Sequence, residues 1–303
     1  MSDDRQPVSP SSLAVYATCP RQFEYDKRWQ VETPEASRRY LDRGLVYHGV
    51  IEDTCEQFRD EEATNEEIRR FAFERLDQRW VTETDRAQYA SDAQYHYDRD
   101  LTSAALESFF DTDGLDHVRN SVVTEEWLTC EHNGVQLRGR ADNIVRTDDG
   151  IRVVDYKGSL NGIVSWYSAD QISQHRAGEE YAAGILKSVF QAATYIEGAK
   201  QLEMYDPDMD VEFSFYALLK DKTRTPHTEG IRVTVSGGER EVTDIYEDNR
   251  EDIWEIIANC YRGIIGEHYE PERWEQIREH ACGDCDYQSM CGDYLSGEVR
   301  IDG

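Results

Sequence analysis

Residues 139–157 read GRADNIVRTDDGIRVVDYK, and the pattern is that of a β-hairpin. Gln136 to Arg146 and Ile151 to Lys157 are both rich in apolar and β-branched residues. Thr147-Asp148-Asp149-Gly150 supplies turn chemistry between them, with Gly150 suited to a positive φ. Side chains alternate along a strand, so Val153, Asp155 and Lys157 share one face while Val154 and Tyr156 share the other. An acid and a lysine on the inner face of an apolar strand are costly unless they are paired or used. Asp142 lies thirteen positions before Asp155, the separation at which the neighbouring strand presents it alongside. Two carboxylates can hold a hard cation such as Mg²⁺. A lysine beside them can orient or help deprotonate a water, or neutralise phosphate charge. A buried Asp–Lys ion pair on a sheet fits the same residues.

The rest of the chain sets bounds on that reading. At 303 residues it can bury a full core, as one elaborated domain or two modest ones. No apolar run approaches the ~18 residues of a membrane span, so no membrane role is expected. The opening MSDDRQPVSPSS is polar and acidic, unlike a secretory signal or transit peptide, which makes the cytoplasm the default compartment. The net charge of −29 comes from 62 acidic against 33 basic residues. Only six of the basic residues are lysines (27, 157, 187, 200, 220 and 222). Nucleic-acid enzymes are ordinarily basic. The acids are spread along the whole chain, however, as in a protein kept soluble in molar salt, where the Debye length shrinks to ~3 Å. The charge therefore reads as habitat, that of an extreme halophile. Seven cysteines in a cytoplasmic chain point to metal binding before disulfides. No G-x-x-x-x-G-K-[ST] run marks an ATPase.

Outward from the hairpin, residues 1–8 read as a disordered tail and Ser9-Pro10-Ser11-Ser12 as a helix start. Gly44 to Phe58, 65–82 and 92–111 carry helical apolar spacing, with His48 and Glu52 four apart on one helix face. Val118 to Cys130 alternates as a strand and carries Glu125 and Glu126. Asn161 to Gly178 reads as a polar loop and Tyr181 to Leu202 as a helix, with Gln191 and Tyr195 on one face. Val211 to Leu219 and Ile231 to Val235 read as strands, and Val242 to Ile265 as one amphipathic helix. Near the C-terminus, Cys282-x2-Cys285-x5-Cys291 can wrap one tetrahedral zinc or a [4Fe–4S] iron–sulfur cluster, with one ligand missing. Cys19, Cys55, Cys130 and Cys260 each fit a small buried hydrophobe.

Taken together, Asp142, Asp155-Tyr156-Lys157, Gly44 to His48, QAATYIEGAK at 191–200 and the cysteines resemble the iron–sulfur branch of RecB-type PD-(D/E)XK nucleases. That branch includes the CRISPR-associated exonuclease and the nuclease domains of helicase–nuclease complexes. The resemblance runs from Ser9 to Cys291 and implies an α/β fold, a small mixed sheet flanked by helices. On this reading 9–303 is one nuclease domain: a helical arm at 9–115, a catalytic core at 116–235 and a C-terminal cysteine segment at 236–303. It implies that His48, Asp142 and Asp155 bind Mg²⁺ or Mn²⁺ with a main-chain carbonyl near Tyr156, and that Lys157 positions the nucleophile or stabilises the transition state. Gln191 and Tyr195 match its Gln-x-x-x-Tyr motif and are expected to position DNA or water, and Glu126 is a candidate acid beside the metal. Cys19 is the implied fourth ligand of the cluster. The long interval from Lys157 to Gln191 suggests an inserted element. The implied substrate is DNA, as single-stranded ends, in repair, recombination or CRISPR adaptation, with a helicase or adaptation protein as partner. A non-cleaving, cluster-stabilised DNA-binding subunit and a zinc-stapled scaffold are the readings from other classes. Retention of both acids and the lysine argues against the first, and the colour of the purified protein decides the second.

Overall fold

In a computed structural model, which describes residues 6–33, 39–228 and 230–298, the chain enters its first helix where the Ser-Pro-Ser-Ser run predicts. The Ser9 hydroxyl accepts the Ser12 N–H, and Pro10 occupies the first turn of α1 (Pro10–Thr18). A short α2 (Pro20–Phe23) follows, then the long α3 (Arg39–Phe58) and α4 (Asn65–Glu83). Thr64 and Glu67 form a reciprocal capping box that sets the start of α4. α5 (Asp92–Asp111) and α6 (Gly114–Asn120) follow and lead into the sheet.

Five strands form one mixed sheet in spatial order: β1 (Ser121–His132), β2 (Val135–Arg146), β3 (Gly150–Lys157), β4 (Asp210–His227) and β5 (Gly230–Glu241). Only β3 and β4 pair in parallel. Their crossover carries α7 (Asp170–Ala177) and α8 (Ala183–Ala199). The chain ends through α9 (Thr243–Asp248), α10 (Arg250–Ile265), α11 (Trp274–His280) and α12 (Gly292–Glu298). This is the expected α/β architecture of a mixed sheet between helical layers. α1, α8 and α10 cover one side around Val153, Phe190, Phe213 and Ile257. α3 to α6 cover the other around Ile51, Trp80, Phe109, Val154 and Tyr156. The split of Val153 from Val154 and Tyr156 is the strand alternation at work.

Several expectations are corrected. The 147–150 turn forms, with Thr147 N–H donating to the Gly150 carbonyl, but Gly150 has no positive φ. Glycine is needed there because a Cβ would lie 2.0 Å from the Asp210 backbone oxygen, where β4 begins alongside β3. Positive φ occurs instead at Asn133 (50°) and Gly134 (78°), which close an unforeseen β1–β2 hairpin. Val8 is no part of a loose tail: it is buried, and its N–H and carbonyl bond to Gln136 and Arg138 of β2. Residues 1–5 of that tail lie outside the described residues. The polar 161–178 stretch contains α7, whose Ile172 and His175 (i, i+3) are buried. The 242–265 helix is broken at Asn249, where φ −113° and ψ 17° leave the helical range.

Candidate metal centre and cysteine pocket

The β2–β3 register pairs Asn143 with Val154, so its next step sets Asp142 opposite Asp155. There the Asp142 carboxylate accepts the Tyr156 backbone N–H at 2.7 Å. His48, on the sheet-facing side of α3, brings its Nδ1 to 3.3 Å from Asp142 Oδ2. Glu125 completes the group: one ligand atom each from His48, Glu125 and Asp142 lie within 4.8 Å of one another. Asp155 is only 3% exposed and sits beside this trio. Its Oδ2 is 2.5 Å from the Lys157 ammonium, and its Oδ1 accepts the Gln191 amide at 2.8 Å.

The acid on β1 is therefore Glu125, where the family resemblance pointed to Glu126. The cause is backbone conformation, because Glu125 holds φ 54° inside a strand, a left-handed position uncommon for a residue with a Cβ. A strand alternation read from sequence cannot show such a residue. The other signal available was Asn143, a polar residue in an apolar strand. Its side chain bonds Tyr156 Oη (3.2 Å) and accepts from Ser121 (2.8 Å), while Tyr156 Oη shares a further bond with His117 Nδ1 (3.0 Å). This buried network ties β1, β2, β3 and α6 together directly behind Asp142.

Of the two motif residues on α8, Gln191 reaches the centre and Tyr195 braces it. Tyr195 Oη donates to the Arg140 carbonyl at 2.9 Å, and its ring fills the space over Gly139, where a Cβ would lie 2.6 Å away. The Gln191 amide oxygen is buried without a hydrogen-bond partner among the described residues. One turn earlier, Lys187 has its pKa lowered by burial and then by the nearby Lys157 ammonium.

The charges are arranged around negative carboxylates. Burial alone would lower the His48 pKa, but the Asp142 carboxylate overrides it and raises it to about 9. Burial pushes the Asp155 carboxyl up, against the Lys157 ammonium. Lys157 is itself raised, because Asp155 outweighs the penalty of burial. Burial and then the Asp142 charge also raise Glu125. His48 and Lys157 offset part of the charge on the three acids, and a divalent cation would take the place of the proton on the imidazole. An oxygen-rich donor set, with an unsatisfied amide oxygen beside it, fits a divalent ion of the Mg²⁺ or Mn²⁺ kind.

In a separate pocket, Cys19, Cys282, Cys285 and Cys291 come together with Tyr25 and Ile277. Arg21 of α2 pairs with Asp293 of α12 at 2.8 Å, and the rings of Tyr25 and Tyr287 pack 5.6 Å apart, so the two chain ends meet there. Burial pushes the Cys19 thiol up to about 11. Cys55, Cys130 and Cys260 are buried elsewhere.

A mixed sheet that sets two acids and a lysine on adjacent strands, beside a histidine from α3, has the donor set of a metal-assisted hydrolase. The chain belongs to the PD-(D/E)XK nuclease superfamily, whose family model matches residues 7–292. Among solved structures it is similar to a candidate exonuclease from Eubacterium rectale, at 14% identity and a TM-score of 0.50, covering 98% of this chain and 90% of that one. No curated protein matches the sequence significantly. No helix among the described residues is long and apolar enough to cross a membrane.

Proposed function

We propose that this chain is a Mg²⁺- or Mn²⁺-dependent deoxyribonuclease that trims single-stranded DNA ends and carries a structural [4Fe–4S] cluster. The observation that carries the reading is the convergence of His48, Glu125 and Asp142 beside the Asp155–Lys157 pair. When bound, the cation supplies an electrophile that acidifies water and offsets charge gathering on the phosphate. His48, Glu125, Asp142 and Asp155, with the Tyr156 carbonyl, would hold it. An imidazole in the set favours Mn²⁺ over Mg²⁺. Lys157 positions the attacking oxygen and offsets phosphate charge, Gln191 holds Asp155, and Tyr195 fixes the β2 backbone beneath Arg140. Cys19, Cys282, Cys285 and Cys291 would hold the cluster and join the two chain ends. The acid-rich surface supports work in concentrated salt, and repair, recombination or CRISPR adaptation beside a helicase is the setting the family resemblance suggests. The test is cleavage of end-labelled single- and double-stranded DNA in molar KCl with and without Mn²⁺. Metal-dependent shortening of single strands is expected. No cleavage of either substrate with any divalent ion would refute the reading.

A further inference from the structure

Two residues beyond Glu125 on the edge strand β1, Trp127 is 51% exposed. The Arg138 guanidinium lies 4.1 Å from its ring centroid and that of Arg140 6.0 Å. Arg140 Nε is in turn 2.5 Å from Glu125 Oε2, so the indole connects through one guanidinium to the metal-binding trio. We propose that Trp127, flanked by Arg138 and Arg140, is a stacking platform that holds single-stranded nucleic acid on its way into this centre. The proposal rests on the nuclease reading above.

What sets the site apart is charge held against an exposed ring. Arg138 is exposed with no carboxylate within ion-pair distance among the described residues, as are Arg70 and Arg146, but here the guanidinium lies on an indole that is itself open to solvent. A cation kept unpaired beside an aromatic face suits an anionic ligand that carries a base. The combination of one large ring and two guanidinium groups matches what a strand offers at each step, a base face and a phosphate. It suits a protein partner less well, since such contacts centre on a contiguous apolar patch. It suits duplex less well, since only the terminal base pair of a duplex presents a free face. Two strand residues span ~7 Å, so a base on Trp127 sits close enough for its neighbouring phosphate to reach the trio. Stacking tolerates salt that would erase phosphate contacts, which fits a platform led by tryptophan.

The test is fluorescence anisotropy with a labelled oligo(dT) strand and a blunt duplex, using full-length Asp155→Asn protein without divalent ion. Binding is thereby judged apart from cleavage, and a chain with no nuclease activity would still pass or fail on its own. Trp127→Ala should weaken single-strand binding by about five- to 150-fold, the equivalent of ~1–3 kcal/mol per stacked base. Trp127→Phe should restore most of it, and Arg138→Ala should weaken binding and flatten its salt dependence. Unchanged single-strand affinity in both Trp127→Ala and Arg138→Ala would overturn the proposal and leave the face to a protein partner. Equal loss on duplex and single strand would overturn it as well. The Phe and Arg138 variants keep the test decisive if Trp127→Ala fails to fold.

Discussion

Glu125→Gly separates the metal centre from the fold more sharply than any other change in this protein. Glu125 sits at φ 54°, so its side chain is held at a backbone conformation that glycine adopts freely. Releasing it recovers ~1–2 kcal/mol of left-handed strain. The loss of its pairing with Arg140, a partner that is 55% exposed, costs at most about 1 kcal/mol. The net effect is neutral to stabilising, and each 1 kcal/mol gained raises the melting temperature by about 1.5 °C for a chain of 303 residues. Activity should move the other way. Removing one of the three converging ligands should lower kcat/KM by at least about a hundredfold, ~2.7 kcal/mol, and weaken Mn²⁺ binding measured by calorimetry. Its neighbour provides the control, because Glu126→Gly inserts glycine into extended strand and should cost ~0.5–1 kcal/mol while sparing cleavage. The paired experiment is thermal melting and end-labelled cleavage on both variants. Glu125→Gly that cleaves within fivefold of the parent would refute the assignment of this acid, and one that melts well below the parent would refute the strain argument.

Lys157→Ala and Asp155→Asn should each abolish cleavage but differ in stability. The first strands a buried carboxylate and should cost ~3–5 kcal/mol, whereas the second leaves an ammonium that is 27% exposed and can turn to water; equal melting temperatures would contradict this asymmetry. Cys19→Ser should remove brown colour and iron and lower the melting temperature, the long loop it closes being worth on the order of 4–5 kcal/mol by the cross-link model. Anaerobically purified protein holding zinc and no iron would sink the cluster. His175 is buried, accepts the Ala182 N–H at 3.0 Å, and has its pKa lowered to about 4 by burial and then by Arg273. It stays neutral when folded while the unfolded chain binds a proton below ~6.5. Its contribution is thus complete above pH ~6.5 and is lost as pH falls toward about 4, by on the order of 3 kcal/mol; denaturant titrations across that window should show the slope, and His175→Gln should flatten it.

The central elements were legible from residue pattern because strand and helix periods are local. Val153, Asp155 and Lys157 alternate against Val154 and Tyr156, and the 147–150 turn separates two β-branched runs. The helices at 65–82 and 92–111 lie within a residue of the observed ones. Motif order was enough to mark His48, Asp142, Asp155, Lys157, Gln191 and the four cysteines as residues to be compared in space. Periodicity failed where one residue departs from it. Glu125 bends out of the alternation through a positive φ, and α7 hides in a polar stretch because only its Ile172 and His175 face inward.

Which residues meet was decided by the tertiary structure alone, since it depends on contacts between elements far apart in sequence. Only the approach of α3 to β2 puts His48 against Asp142, and only α8 lying across Gly139 turns Gln191 toward Asp155 and Tyr195 toward the backbone. Sequence carries the identity of these side chains. The packing of the sheet against its two helical layers sets the few ångströms that make them one centre, because a carboxylate or imidazole acquires its role from the charges the fold places beside it.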